Sequence, residues 1–474
     1  MYKPYKDPIF TALPDVKVPE PRISKFVVFI ARYLSKIYLF TFFGPAKIVY
    51  QGDKILLDAF KRALAGESRC IIAFRHPNGA EPQLLAWSFF YRLKGLAAKY
   101  KVRFAIKPHA LFVYGYEVVR WGGWLARYFM PNLGAMPIHH TKLDSKGMDR
   151  IYKAITEGPY PVALAPEGQV SYTADSVPRL ENGVIRIAFQ SAQRLSAKNA
   201  NAPVGCSAPV GCSAPVEILP VSIHFRYSSY ARRSMEKLLR RTEKACGISY
   251  NGQKKLSIFE RIRICRDFIL EVNEKRYNIK CAAPVPFEER LDAVINAALD
   301  TAERMLGIKS EGDYFTRLYR IRHICWDRIY LPDIESLEHI APVERSVKDI
   351  SAGEAWHIAR HQELADFSWY FRCQLPAEET AFHNLIEYVQ NLWDFANRTM
   401  GGTISDRVNI FPRKVIIRAG NIINISERLA RYKEDKKAVA AECVSDLEKN
   451  FLECVEETNR AEKGGVRPDE YKIG

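Results

Sequence analysis

The chain has 474 residues, of which 47% are hydrophobic and 12% aromatic, a composition that excludes an intrinsically disordered protein and predicts a packed core. Lysine and arginine total 70 against 54 acidic residues, giving a net charge of +16 that favours an anionic partner. Because no zinc-finger spacing, RNP-like run or glycine-rich phosphate loop accompanies the charge, we expect an anionic membrane surface and no nucleic acid.

The first 50 residues are expected to form a polar lead-in and then an amphipathic helix over 23–43. Lys25, Arg32 and Lys36 fall on one face of that helix, and most of the other side chains are apolar. A basic stripe on an apolar helix is typical of a helix that lies in the membrane interface. The alternative is a helix docked on the protein's own core, while a membrane span is disfavoured by the two central cations.

Strand-like and helix-like segments alternate from 51 to 230. The predicted strands are 70–74, 102–106, 162–165 and 218–225. The predicted helices are 83–91, 148–156 and 183–192. This alternation predicts an α/β domain with a mixed sheet flanked by helices.

Residues 231–412 carry helical periodicity with few strand signals. The predicted helices are 255–276, 287–306, 314–330, 343–371 and 378–400. A short apolar strand follows at 414–418, and a lone strand must pair with an existing sheet. We therefore predict that 231–412 is a large all-helical insertion and that 413–474 returns as the closing strand and helix of the α/β domain, with a polar tail.

The candidate catalytic residues are His76 and Glu81, which flank a Pro-Asn-Gly turn between a predicted strand and a predicted helix. An imidazole is suited to act as a general base because its pKa lies near neutrality. A carboxylate on the other ring nitrogen fixes the tautomer and stabilises the imidazolium. A solvated His and Glu at an ordinary turn is the alternative.

Four short blocks in order resemble the glycerophospholipid acyltransferase family, 1-acylglycerol-3-phosphate acyltransferase-like. The family's His-x4-Asp block corresponds to 76–81, with Glu81 in place of Asp. The second block corresponds to 134–140, with His140 where the family usually has Arg. The third, Pro-Glu-Gly, corresponds to 166–168 without the basic residue that usually follows. The fourth, an apolar strand with proline, corresponds to 218–223.

This resemblance implies that His76, oriented by Glu81, deprotonates a lipid hydroxyl that attacks an acyl thioester directly. It also implies that Glu167 and Gly168 shape the acceptor pocket, with Glu167 binding a polyol hydroxyl. The donor is then acyl-CoA or acyl-ACP as a co-substrate, with no bound cofactor and no metal. We expect a peripheral position on the cytoplasmic face of the membrane, because ten scattered cysteines with no close pair indicate free thiols in a reducing compartment, while the net charge and the amphipathic helix favour the membrane surface.

The acceptor's phosphate needs cationic contacts that replace the family's missing arginines. Besides His140, the candidates are Lys107, ranked first because it follows a predicted strand, Arg75, Arg179 and Arg186. Alternatively, the acceptor has no phosphate monoester, as in a lysophospholipid or an aminolipid. Two other functions are open at this point: a catalytically silent lipid-binding protein with the same fold, and a thioester or ester hydrolase.

Overall fold

The structure is a computed structural model of the whole chain. It describes residues 9–15, 17, 20–42, 44–116, 118–119, 122–139, 144–200, 214–249, 256–280, 285–332, 334–372, 374–403, 406–411 and 413–462.

The elements are numbered in chain order. The strands are β1 (Leu13–Pro14), β2 (Pro45–Gln51), β3 (Arg69–Phe74), β4 (Leu111–Gly115), β5 (Met136–Ile138), β6 (Val162–Leu164), β7 (Val216–Tyr227), β8 (Tyr330–Leu331), β9 (Arg413–Ala419) and β10 (Ile423–Asn424). The helices are α1 (Lys25–Phe42), α2 (Asp53–Leu64), α3 (Glu81–Trp87), α4 (Leu93–Lys99), α5 (Gly123–Asn132), α6 (Ser145–Glu157), α7 (Gly183–Ala200), α8 (Ala231–Cys246), α9 (Ile258–Arg276), α10 (Phe287–Leu306), α11 (Tyr314–Ile329), α12 (Pro342–Tyr370), α13 (Phe382–Thr399), α14 (Leu429–Glu434) and α15 (Lys436–Ala461). A π-helical stretch, Ser88–Arg92, joins α3 to α4, and a 3-10 turn, Ser426–Arg428, precedes α14.

Two compact units make up the chain. The α/β unit is Val18–Tyr227 with Pro412–Gly465, and the helical unit is Met1–Lys17, Ser228–Phe411 and Val466–Gly474. The expected N-terminal segment 1–50 is therefore divided. Its first part belongs to the helical unit, where β1 pairs with β8 and the Ala12 N–H donates to Asp349 Oδ1 over 2.7 Å.

The α/β unit is built on a mixed sheet, as predicted, with the strand order β2-β9-β7-β3-β6-β4-β5. The five consecutive strands β7, β3, β6, β4 and β5 run parallel to one another. The expected strand at 414–418 is β9, which pairs antiparallel to β7 and parallel to β2. The last residue of β3, Phe74, is level with Val221 of β7 and Ala419 of β9, so β3 runs toward the edge of the sheet where β7 ends and β9 begins. We call this edge the carboxyl edge, and the opposite one the amino edge.

The predicted strand at 102–106 is wrong. This stretch is part of an irregular connection, and the strand that follows is β4, with the sequence Leu-Phe-Val-Tyr-Gly. Aromatic and β-branched residues fit a half-buried strand, whereas the earlier stretch holds exposed Arg103 and is followed by exposed Lys107. Pro108 then separates the two segments.

Helices cover the sheet with apolar side chains. Helices α7 and α15 pack with the strands in one cluster that includes Phe189, Phe451 and Ile218, all almost fully buried. The rings of Phe189 and Tyr432 stack at 3.8 Å between centroids, which joins α14 to the same layer. The C-terminal segment is thus part of the core of the α/β unit.

The helical unit follows the predicted periodicity closely. Helix α10 has the predicted bounds, with acidic residues in its first turn and Gly307 in a left-handed conformation after its last turn (φ 70°). Ser257 and Glu260 form a capping box at the start of α9, and Asp313 caps α11. Helix α13 is buried except at His383 and Asn384, which are half-buried.

Candidate active site

The turn after β3 brings His76 and Glu81 together. Gly79, at a φ of +94°, lets the chain reverse, and Glu81 then begins α3. His76 Nδ1 lies 2.7 Å from Glu81 Oε2, and the Gly79 N–H donates to the same oxygen over 2.8 Å. An ionised carboxylate at this position accepts from a proton on Nδ1, an arrangement that leaves the lone pair of the neutral ring on Nε2.

The His76 ring is open to solvent at one side. Its side chain is 18% exposed, while that of Glu81 is fully buried. Nε2 has no hydrogen-bond partner in the part of the chain that the structure describes. An imidazole held through one nitrogen and presenting the other outward has the geometry of a general base.

Glu81 has one oxygen that no group compensates. Its Oε1 is buried and has no hydrogen-bond partner among the described residues. A buried carboxylate charge is costly unless a cation or donors face it. Protonation of His76 puts a positive charge beside this carboxylate, so the pair stabilises the imidazolium that forms when His76 takes a proton.

Glu167 holds the backbone of His76 and does not face solvent. Its Oε2 accepts the His76 N–H over 3.2 Å, and its Oε1 pairs with the Arg75 guanidinium. The side chains of Glu167 and Arg75 are both fully buried. The expectation that Glu167 binds a polyol hydroxyl is therefore corrected, because both of its oxygens are engaged inside the protein.

Arg75 is likewise removed from the candidates for phosphate binding. Its guanidinium donates to the carbonyl oxygens of Thr173, Ala174 and Ser176 over 3.1, 3.3 and 2.7 Å, besides its pair with Glu167. It therefore fixes the loop that follows the Pro-Glu-Gly turn. A guanidinium with these partners and no exposed surface cannot reach a substrate phosphate.

Gly168 is required by the shape of this turn. Its φ is +71°, and a Cβ on it would lie 2.4 Å from Glu181 Oε1. Three residues after Gly168, the Ser171 N–H donates to the His76 carbonyl over 2.9 Å. Both backbone groups of His76 are thus bonded to the segment that contains this turn. Its N–H donates to the carboxylate of Glu167, and its carbonyl accepts from the Ser171 N–H.

Lys107 lies at the wrong edge of the sheet for the predicted role. It precedes β4, and Leu111 at the start of that strand pairs with Val162, which in turn pairs with Ile71 of β3. Lys107 is therefore on the amino edge, whereas His76 is on the carboxyl edge. The prediction that Lys107 contacts the acceptor phosphate is wrong for this reason.

The remaining predicted contacts have different outcomes. Arg179 is exposed in the loop between β6 and α7, which begins at the carboxyl edge, and it stays a prediction. Arg186 is exposed on α7. His140 lies outside the described residues.

Arg413 is a neighbour of the site that the sequence did not reveal. It is the first residue of β9, its side chain is buried, and it donates to Asn78 Oδ1 over 3.1 Å in the turn between His76 and Glu81. Its guanidinium also lies over the Phe225 ring, 4.4 Å from the centroid. The sequence contained one indirect indication of its position. The predicted strand at 414–418 had to pair with the sheet, so the residues at its start had to lie at one edge of that sheet.

A second buried histidine lies near the loop that Arg75 holds. His224 Nε2 is 2.9 Å from Ser222 Oγ, and Nδ1 is 3.3 Å from Asp175 Oδ1. Burial lowers the pKa of His224 to about 4. Ser222 is fully buried, so this Ser-His-Asp group is inaccessible to a substrate and is structural.

Helix α1 exposes apolar side chains rather than a continuous basic stripe. Phe26, Phe29, Tyr33, Ile37 and Phe40 recur at helical spacing and are between 46% and 68% exposed. We call these five residues the α1 apolar stripe. No helix in the described ranges has both the length and the hydropathy needed to cross a membrane.

The predicted basic residues of α1 are only partly confirmed as exposed. Lys25 and Lys36 are exposed, but Arg32 is half-buried and donates to the Pro108 carbonyl over 3.4 Å. Arg32 is therefore corrected from a membrane contact to a contact with the protein itself. The sequence contains the apolar residues around the two lysines, but it does not show which of them are exposed.

No group of three metal-binding side chains occurs among the described residues. A comparison of the sequence with protein-family models found no match, and a comparison with curated proteins found no match either.

Proposed function

We propose that the protein is a membrane-associated O-acyltransferase that moves a fatty acyl group from acyl-CoA or acyl-ACP to a hydroxyl of a glycerolipid, with His76 as the general base. The observation that carries this proposal is the His76–Glu81 pair: one ring nitrogen is bound to a buried carboxylate, and the other has no hydrogen-bond partner among the described residues. The resemblance of the four sequence blocks supports the lipid class of the acceptor.

The proposed reaction needs no covalent intermediate on the protein. His76 Nε2 takes the proton of the acceptor hydroxyl while its oxygen forms a bond to the thioester carbonyl carbon. The C–S bond then breaks, and the departing thiolate receives the proton from the imidazolium. Glu81 stabilises the imidazolium between these two steps.

The acceptor is a lysophosphatidate-like glycerolipid in this proposal. With Arg75 and Lys107 excluded as phosphate contacts, Arg179, Arg186 and His140 remain the proposed cations. Exposed Arg179 lies in a loop that starts at the same edge of the sheet as His76. If the acceptor is instead a lysophospholipid or an aminolipid, it has no phosphate monoester, and no bidentate arginine contact to such a group is needed.

We propose a peripheral position on the cytoplasmic face of a membrane, and the course of α1 supports the peripheral contact. The Ser24 N–H donates to the Asn132 carbonyl over 2.9 Å, so α1 begins at the amino edge beside β5. The helix leads into β2, whose first residue, Pro45, pairs with Arg413 at the carboxyl edge. The α1 apolar stripe therefore extends along the protein toward the edge that holds His76, and we propose that it lies in the bilayer interface.

The test is an assay with purified protein, labelled acyl thioesters and a panel of lyso-acceptors in vesicles. The proposal predicts an acylated lipid, and the panel identifies the acceptor. Free fatty acid without acylated lipid would establish the hydrolase instead. Neither product, with vesicle binding retained, would establish the catalytically silent lipid-binding protein.

A further inference from the structure

A strongly basic segment lies between the first helices and β4. Residues 92–107 contain six lysine and arginine residues and no acidic residue. The segment covers α4 and the connection that leads to the amino edge, where the Leu111 N–H donates to the Pro161 carbonyl over 2.9 Å. The function proposed above uses none of these cations.

Two of the six cations are engaged within the protein. Lys99 Nζ is 3.5 Å from Asp53 Oδ2, and Arg92 lies over the Trp87 ring and interacts with Tyr50. The other four are exposed and have no acidic partner in the described ranges: Lys94, Lys101, Arg103 and Lys107. We call these four residues the amino-edge basic group.

Lys101 occupies a backbone position that suits glycine. Its φ is +56°, and the Val102 N–H donates to the Ala97 carbonyl over 2.9 Å, which closes α4 in the manner of a left-handed cap. A lysine in this conformation costs free energy that glycine would not. The cap therefore does not explain the lysine, whereas a contact for its exposed ammonium would.

The group lies next to α1. Arg32 of α1 donates to the Pro108 carbonyl, the residue next to Lys107. Ile106, which precedes Lys107, is itself 36% exposed. Cations beside exposed apolar side chains fit the boundary between headgroups and acyl chains, where the charges meet phosphates and the apolar groups enter the interface.

We propose that the amino-edge basic group binds anionic lipid headgroups and orients the protein on the bilayer. This inference rests on the membrane contact of the proposed function but not on its chemistry. An acidic acyl carrier is disfavoured as the occupant, because it has to deliver a thioester to His76 at the opposite edge. Nucleic acid is disfavoured because the neighbouring exposed surface is an apolar helix rather than a basic groove.

The experiment measures binding of the full chain to phosphatidylcholine vesicles with and without phosphatidylglycerol. The test variant combines Lys94→Ala, Lys101→Gly, Arg103→Ala and Lys107→Ala. The control variant removes the same charge from α14 and α15 by replacing Lys433, Lys436, Lys437 and Lys449, all exposed, with alanine. We expect the test variant to lose at least about tenfold in affinity for the anionic vesicles, and the control to lose less than about threefold.

Several outcomes would overturn the inference. One is an equal loss in the two variants, which would make the effect one of net charge alone. Another is unchanged vesicle binding in the test variant together with lost binding of a short RNA or of an acidic carrier protein. A parallel measurement of turnover with a water-soluble short-chain acceptor separates this inference from the catalytic proposal. The test variant is expected to keep this turnover, whereas His76→Ala is expected to lose it.

Discussion

The backbone N–H of His76 donates to Oε2 of Glu167 over 3.2 Å, so a carboxylate after β6 fixes the residue that follows β3. The other oxygen of Glu167 pairs with Arg75, the residue before His76. Two blocks that are distant in the sequence therefore form one rigid support for the imidazole. The Pro-Glu-Gly turn therefore supports His76 through its backbone, and the carboxylate of Glu167 does not face solvent.

Loss of the base or its carboxylate is expected to abolish most of the turnover. We expect His76→Ala to lower kcat by a factor of about 100 or more, as removal of a general base usually does. Glu81→Gln should lower kcat by at least about tenfold, because the amide keeps much of the shape but does not stabilise the imidazolium. His339→Ala, an exposed histidine of the helical unit, is the control. Near-normal acyl transfer by His76→Ala would remove His76 from the reaction.

Glu167→Gln is expected to act on stability rather than on acceptor binding. The change leaves the buried Arg75 guanidinium without its counter-charge, and breaking such a buried pair costs about 3 kcal/mol or more. We expect a lower midpoint of thermal unfolding, with the KM for the acceptor in the remaining folded protein unchanged. A stable variant with a raised KM would instead show that this carboxylate contacts the acceptor.

Charges on the α1 apolar stripe are expected to prevent membrane binding. We expect Phe29→Asp with Ile37→Asp to weaken vesicle binding by about tenfold or more without a change in the circular dichroism, since both side chains are already exposed. The matched control is Val347→Asp in the helical unit, where valine is 63% exposed. Removal of 1–43 should also reduce binding. Retained binding in the double variant would place the contact elsewhere.

Stability is expected to fall as the pH falls from about 6.5 to about 4. Burial lowers the pKa of His224 to about 4, and that of His109 to about 4, below the ordinary value. The unfolded chain therefore binds protons in this range that the folded chain does not, and each histidine contributes up to about 3 kcal/mol of the loss.

The measurement is the free energy of unfolding against pH for the normal chain and for His224→Gln. We expect the free energy of unfolding of the variant to change less between these pH values. The difference from the normal chain should equal the contribution of one histidine. The control, His339→Gln, should keep the full slope because that histidine is exposed. An identical slope in His224→Gln would show that His224 is not neutral in the folded protein.

The sequence was sufficient for elements whose periodicity is long and regular. Helix α10 has the predicted bounds, and β9 was inferred because an isolated strand needs a sheet. Short strands such as β5 gave no usable pattern. The segment at 102–106 alternated like a strand but carried charges that the fold leaves in solvent.

The site was predictable where neighbours in sequence are neighbours in space. The His76–Glu81 bond spans one turn, so its residues could be named in advance. The roles of Arg75 and Glu167 could not, since they depend on burial, which residue type alone does not determine. Arg413 reaches the turn only through strand pairing over a separation of 335 residues, for which no local signal exists.

The place of β9 in the sheet has a consequence for biosynthesis. This strand lies between β2 and β7, and β2 has no other neighbour in the sheet order. A nascent chain therefore emerges with β2 unpaired and one side of β7 open until more than four hundred residues have left the ribosome. Until that point the turn at Asn78 has no Arg413 to meet, so the exposed strand edges need protection and the turn reaches its folded arrangement only after β9 has paired with β7.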